Sequence, residues 1–375
     1  MTLHSVADRA ARTSAPAPSR RGVRPVVLAA VCSTAVAVSV GAVVLNRDPA
    51  RDVTSVALQA TPERLQALRS QPFVIFRSTR LDSDYGRVML APRNDPSAGR
   101  IASSLTCDRV DYASGRGICL TRTLPGSTGD SGVLVFDANL RTTATIVLSG
   151  FPSRARVSPD GRYGSVTRFA RGDSYASPGK FSTRTDVLDL TTGKVVLSLE
   201  QLRVTKDGHP LRSVDVNFWG VTFRPDSDQF YATLGTGGHT YLVEASLQTR
   251  QAKVIADGVE CPSLSPDGTR IAFKQRDSAS TPTWHLAVMD LATHARHRLA
   301  TAGDVDDQAA WRDNATVAYG LVDAGPGGGN PRTVGLSRLA VGGTVATSTW
   351  TVPADGTGRP QRELAGAWSA SLVRP

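Results

Sequence analysis

The chain has 375 residues, 40% hydrophobic and 20% charged, which is enough apolar material for a sizeable core and excludes a disordered or collagen-like polymer. Its 34 glycines and 22 prolines imply many turns and favour β over α structure. The net charge of +10 raises the question of nucleic acid, but about four of those charges fall in the first 24 residues and the rest are scattered singly. With no basic block interleaved with aromatics, nucleic-acid binding is set aside.

Residues 1–24 carry Arg9, Arg12, Arg20, Arg21 and Arg24 against the single acid Asp8, and read as a disordered basic tail. From Pro25 to Leu45 no charge occurs. About 20 apolar residues rising ~1.5 Å each cover the ~30 Å hydrocarbon slab, and a central charge would cost roughly 2.5–3.5 kcal/mol. Residues 25–45 are therefore expected to form a transmembrane helix. The arginines on its N-terminal side hold the tail in the cytoplasm and place the remainder outside. The alternative is a cleaved signal peptide, with Ala37-Val38-Ser39 as processing site, although the apolar run exceeds the usual ~7–15 residues. Cys32 follows Val31, where a lipoprotein signal uses a small residue, and reads as a membrane-buried thiol. Residues 46–71 form a linker. Within it Thr61-Pro62-Glu63-Arg64-Leu65-Gln66-Ala67-Leu68 predicts a short spacer helix, with Thr61 as N-cap, Pro62 at its first position and an end near Ser70.

From residue 72 the chain alternates strands and turns. Ser158-Pro159-Asp160-Gly161, Arg224-Pro225-Asp226-Ser227 and Ser265-Pro266-Asp267-Gly268 are three copies of one hairpin turn. Proline presets φ at the first central position, and Asp followed by Gly or Ser tolerates the reversal. Tyr112-Ala113-Ser114-Gly115 and Trp311-Arg312-Asp313-Asn314 are degenerate versions. Aligned on these turns, hairpins at 105–123, 154–169, 221–234, 262–275 and 309–321, with a lone strand at 368–373, give six units about 40–65 residues apart. Cys107 and Cys119 flank one of these hairpins. Cross-strand Cα separations of ~4.5–5.5 Å suit a disulfide, so the pair is expected to be bridged. Cys261 is left over and should pack as a small apolar residue. The cysteine spacing is not that of a zinc site.

The Ser-Pro-Asp-Gly turns, followed by strands such as Arg270-Ile271-Ala272-Phe273 and by Val288-Met289-Asp290-Leu291, resemble the TolB-like, or PD40-type (WD40-like repeat), propellers over roughly residues 72–375. The resemblance implies an all-β, six-bladed β-propeller of four-stranded antiparallel blades. It also implies that Ala367-Trp368-Ser369-Ala370-Ser371-Leu372-Val373 closes the ring on Phe73-Val74-Ile75-Phe76-Arg77. Such propellers tend to bind protein or peptide partners at the face of the ring. TolB carries an α/β domain ahead of its propeller; here the short helix at 61–70 stands in that place, so the envelope-spanning role of TolB is not implied.

No catalytic set assembles from the motifs. Gly129-Asp130-Ser131-Gly132 matches the nucleophile tetrapeptide of trypsin-like proteases, but the His before it is His4, in the tail. No Gly-x-Ser-x-Gly elbow occurs, and no hydrolase domain follows the propeller. Asp304, Asp306 and Asp307, like Asp82 with Asp84, read as solvated loops rather than calcium ligands. Gly325-Pro326-Gly327-Gly328-Gly329-Asn330-Pro331 lacks the Lys and Ser or Thr of a P-loop and reads as an insertion. His294 and His297 share a polar turn without a metal-site pattern. Trp311 and Trp368 are expected in blade cores, whereas Trp219 and Trp284 are candidates for exposed contacts. The expectation is a non-catalytic extracytoplasmic binding module, needing no cofactor or metal, whose partner is a protein or peptide. A propeller glycosidase or lyase with paired carboxylates in the funnel is the alternative, and an envelope sensor is a third reading.

Overall fold

In the Ser-Pro-Asp-Gly turns serine and aspartate share the work. At residues 158–161, Gly161 N donates to Ser158 O at 2.8 Å, with Gly161 at φ +72°. Asp160 Oδ1 accepts from Arg162 N at 3.0 Å, and Ser158 Oγ accepts from Tyr163 N at 2.9 Å. The turn at 265–268 repeats this set: Gly268 N to Ser265 O at 2.9 Å, Thr269 N to Asp267 Oδ1 and Arg270 N to Ser265 Oγ, both at 3.0 Å. A side chain on Gly161 would strike the Ala113 carbonyl oxygen, its Cβ 2.8 Å away, because this turn rests on the degenerate turn of the neighbouring unit. Ser114 Oγ donates to Pro159 O at 2.7 Å, and Asp267 N donates to Asn314 Oδ1 at 3.1 Å. Each of these two turns is thus bonded to the degenerate turn of a neighbouring unit.

The computed structural model describes residues 57–96, 99–175, 179–225, 228–278, 281–323 and 344–375. The tail expected at 1–24, the transmembrane helix expected at 25–45 with Cys32, and the glycine-rich insertion at 325–331 lie outside them. So do Asp226 and Ser227 of the second turn. Among the described residues no helix is long and apolar enough to cross a membrane.

Six antiparallel sheets form the blades of a β-propeller. From the axis outward, blade I is Ala367–Val373, Phe73–Ser78, Arg87–Pro92 and Ile101–Thr106, and blade II is Arg109–Ala113, Arg116–Thr121, Gly132–Asp137 and Thr142–Val147. Blade III is Phe151–Val157, Tyr163–Arg171, Ser182–Asp189 and Lys194–Ser198; blade IV is Asn217–Phe223, Gln229–Thr236, His239–Ser246 and Gln251–Asp257. Blade V is Glu260–Leu264, Arg270–Ser278, Thr281–Asp290 and Arg296–Arg298; blade VI is Ala310–Asp313, Thr316–Val322, Thr347–Pro353 and Gln361–Ala365. The closing strand pairs as the resemblance implies, Phe73 opposite Val373 and Val74 opposite Leu372. It completes blade I from the axis side.

Each blade buries both faces against its neighbours, so the middle strands carry runs of apolar residues. Val133–Phe136 and Ile271–Phe273 are buried throughout. Ile118, Val135, Val157 and Leu188 pack between blades II and III, while Phe218, Phe223 and Phe230 pack near Val187 between III and IV. A fully buried side chain of this size stabilises by roughly 1.5–3 kcal/mol. Outer strands alternate instead, as in Thr142–Val147. Two blades exceed four strands: Leu58–Gln59 pairs in parallel with the outer edge of blade I, and Arg203–Lys206 does the same on blade IV, carrying His209–Pro210 beyond it. The helix Pro62–Arg69 has Thr61 as its N-cap and Ser70 as its C-cap, and tucks Leu65 and Leu68 into the core of the first two blades.

Cys107 and Cys119 are joined, with Cα atoms 5.3 Å apart, which ties the crossover from blade I to the second strand of blade II. A bridge closing about a dozen residues contributes roughly 3 kcal/mol on the loop-entropy model. The Cys107→Ser, Cys119→Ser double variant should lose about that much in urea denaturation, and added reductant should reduce wild type to the level of the variant. Equal midpoints in all three samples would show that the bridge does not stabilise the fold.

Candidate functional site

The first strands of neighbouring blades touch around the ring and leave polar groups facing the axis. Asp111 of blade II joins three of them, accepting from Val157 N of blade III at 2.7 Å and from Ser371 Oγ of blade I. Ser369 Oγ donates to Val110 O at 2.9 Å, and Trp311 Nε1 to Ser263 O at 2.8 Å. Four cations also point inward: Arg109, Arg154, Arg156 and Lys274. Unpaired, these charges would repel one another where water is scarce.

One connection answers them. The segment from Leu299 to Ala309, between blades V and VI, enters the channel and presents Asp306, Asp307 and Gln308, each less than a tenth exposed. Asp306 pairs with Lys274 and, at 3.2 Å, with Arg154. Asp307 pairs with Arg109 at 2.9 Å and accepts from Gly320 N at 3.1 Å. Gln308 Nε2 donates to Val221 O and Pro262 O at 3.0 and 2.9 Å, and Arg156 Nη2 donates to Ala309 O at 2.9 Å. This segment thus touches blades II to VI. Gly320 is required beside it, since a Cβ there would lie 2.5 Å from the Trp368 ring and 2.8 Å from Asp307 Oδ2.

Burial raises the Asp306 carboxyl, but Lys274 and then Arg154 overcome this and hold it below the usual carboxylate range. For Asp304, at the rim, burial prevails and pushes the carboxyl up. The reading of 304–307 as a solvated loop is corrected: the cluster is the plug of the channel, with Asp306 and Asp307 taken by cations from other blades and Asp304 accepting from Trp284 N at 2.7 Å. Trp219 and Trp284 are likewise corrected from exposed candidates to buried residues, each 2% exposed. Trp284 lies under Lys274 Nζ, 4.2 Å from its ring, and donates Nε1 to Glu260 at 3.1 Å. Trp219 packs on Tyr175, ring centroids 5.3 Å apart. Trp368 and Trp311 are buried as expected, and Trp368 also stacks on Arg109, 4.9 Å away.

The other sequence candidates disperse. Ser131 Oγ donates to Leu148 O at 2.8 Å, the bond of a strand start and not of a nucleophile. Asp82 pairs with Arg80 and Asp84 with Arg87, both at 2.8 Å. His297 Nε2 bonds Ala354 O at 2.7 Å. Cys261 is fully buried beside Arg154 Nε, at 3.5 Å. Among the described residues no group of three His, Cys, Asp or Glu could hold a metal ion.

With the axis plugged, the openings along it are small: about 60 Å³ on the loop face, where Arg77, Arg122 and Tyr175 gather, and about 430 Å³ on the turn face, inside Pro159, Pro225 and Pro266. A larger concavity lies off the axis. It is a groove of about 1140 Å³ across blades III and IV, lined by Arg171, Arg184, Lys206, Tyr241 and Phe181, with Glu200 and Trp219. Lys206 Nζ sits 4.9 Å from the Tyr241 ring, and Trp219 Nε1 and Glu200 Oε2 are buried without a hydrogen-bond partner. Burial pushes the Glu200 carboxyl up to about 7, with nearby Asp186 adding to the rise, although Thr185 N donates to its other oxygen at 3.1 Å. Asp215, at the rim, is held at about 2 by Ser213 and Thr236. Sequence reasoning did not reach this groove, because its residues come from loops and strand ends with no shared motif.

No family model matches the chain, and no curated protein matches it. Solved structures do. TolB from Acinetobacter baumannii is 16% identical, with 82% of this chain and 68% of that chain covered and a TM-score of 0.52. A puromycin-hydrolyzing peptidase of Mycobacterium tuberculosis is 13% identical over 79% of this chain and 45% of that one, TM-score 0.43. A nidogen/laminin complex gives 10% identity over 80% and 98%, TM-score 0.49. The match to TolB shows a shared fold: the chain carries a TolB-like propeller.

Truncating Asp306 strands two buried cations, and breaking a buried pair in this way costs about 3–5 kcal/mol. Asp306→Ala should lose that much in urea denaturation, and adding Lys274→Met should recover part of it; strictly additive losses would show the pair to be uncoupled. Glu200 gives a pH signature. Because its folded pKa is raised, the folded state binds more protons than the unfolded state, and stability falls as pH rises from about 4.5 to about 7. Glu200→Gln should therefore melt above wild type at pH 8 and lose that advantage at pH 4. A constant difference across this range would contradict the burial of a carboxyl at that site.

Proposed function

We propose that this TolB-like propeller is a non-catalytic binding module, held outside the cytoplasmic membrane by the segment at 25–45, and that it takes a protein or peptide partner on its loop face in the groove of blades III and IV. The groove carries this reading: it offers about 1140 Å³ with Arg171, Arg184 and Lys206 paired to no carboxylate among the described residues. Tyr241 and Phe181 supply apolar surface beside these charges. Beneath this surface the Trp219 indole N–H is buried without a hydrogen-bond partner.

The channel chemistry supports a binder over a two-carboxylate enzyme. A glycosidase needs one carboxyl raised to act as acid and a second free to act as base or nucleophile. Asp306 and Asp307 are instead bound to Lys274, Arg154 and Arg109, and Asp306 is held low. The resemblance to TolB-like propellers, with their tendency to bind partners at the ring face, points the same way.

The purified chain from Arg51 onward, immobilised and exposed to envelope extract, should capture a partner identifiable by mass spectrometry. Arg184→Glu with Lys206→Glu should cut that capture about tenfold or more at unchanged melting temperature. Undiminished capture would move the site away from the groove. Protease added to spheroplasts should digest the propeller; protection would overturn the topology.

A further inference from the structure

The outer edges of the blades are not equivalent. An exposed edge strand offers unpaired N–H and C=O groups to any passing strand, and proteins blunt such edges with cover or charge. Blade I is covered by Leu58–Gln59 and blade IV by Arg203–Lys206. Blade III opens its edge with Lys194, blade V ends in Arg296-His297-Arg298, and blade VI places Arg362 and Glu363 in its edge strand.

Blade II has neither device. Its outer strand, Thr142-Thr143-Ala144-Thr145-Ile146-Val147, has no charge, and Leu148, Ser149 and Gly150 continue without one. All but Ala144 are β-branched, the residues that best suit a pleated edge. Leu148 N donates inward to Ser131 O at 3.0 Å, which sets the phase of the ladder. With Val147 opposite Gly132 and Thr145 opposite Leu134, the backbone groups of Thr145 and Val147 point away from the blade. Ala144 and Ile146 pack toward blade III, while Val147 is 60% and the nearby Phe151 39% exposed.

We propose that this edge is a self-association site, at which Thr142–Val147 pairs antiparallel with the same strand of a second copy across a two-fold axis. The occupant follows from charge. Self-pairing at blade V would set Arg296 against Arg298, and at blade VI it would bring Glu363 onto its own copy; at blade II no like charges meet. The flanking Arg141 residues fall at opposite ends of the paired strands, about 30 Å apart at ~3.4 Å per residue. The two blades become one continuous eight-stranded sheet, with the exposed Val147 on the joined strands. This site is separate from the groove and stands or falls without it.

Two differently tagged full-length chains, co-expressed and purified in detergent, test the proposal. Wild-type chains should co-purify. Thr145→Lys in both copies should reduce this about tenfold, since like charges would then oppose one another on the joined strands. Thr145→Lys with Thr145→Glu should restore it. Thr145 is exposed, so the melting temperature of each variant should match wild type. Wild-type chains that do not co-purify, lysine variants that pair as well as wild type, or opposite charges that fail to restore pairing would each overturn the proposal.

Discussion

Everything in this ring depends on neutralising the charge at its axis. Arg109, Arg154 and Lys274 come from three different blades and converge where water has little access. Leaving them unpaired there would cost on the order of several kcal/mol per ion. Asp306 and Asp307 meet them from one connection, and Gln308 and the Ala309 carbonyl extend that contact to the remaining blades on that side. Asp111 performs the corresponding task for blades I to III. Such pairs are weak contributors to net stability, but their geometry is demanding, and here they lock the angular position of each blade relative to the next.

Filling the axis moves recognition elsewhere. A propeller with an open channel can receive a ligand along the symmetry axis; here Asp306 and Asp307 fill the channel and already have partners within the chain. Off the axis, on blades III and IV, Trp219 Nε1 and Glu200 Oε2 are left without partners among the cations of the groove. The raised carboxyl of Glu200 and the lowered carboxyl of Asp215 belong to the same groove, where burial acts on the one and hydrogen bonds on the other.

The features that the sequence announced are those built from local chemistry. The turns at 158–161 and 265–268, the N-cap at Thr61 and the hairpin that brings Cys107 to Cys119 each need only a few consecutive residues, so their chemistry is readable in one dimension. Ring closure by Ala367–Val373 was also legible, since a leftover strand must find an edge. The plug was not: Asp304-Val305-Asp306-Asp307 has the composition of a surface loop, and only cations from three other strands, 32 residues away at Lys274 and more than 150 away at Arg154 and Arg109, make it an interior. Trp219 and Trp284 misled for the same reason, since their burial is set by Tyr175, Lys274 and Arg276, which are distant in sequence or lie on an adjacent strand. The added strands at Leu58–Gln59 and Arg203–Lys206 are too short to carry a periodicity of their own.

Closure has a consequence in time. Phe73 and Val373 are paired across 300 residues, so the strand that begins the ring waits for nearly the whole chain to be made. At ~5–20 residues per second that wait is about 15–60 s. Blades II to VI are hairpin-local and can assemble as they emerge, whereas Phe73–Ser78, buried along its whole length in the finished ring, must keep its axis-facing edge unpaired throughout. The nascent chain is therefore most vulnerable at its first blade, and the final seven-residue strand decides whether that edge is sealed by its own chain or by a neighbour's.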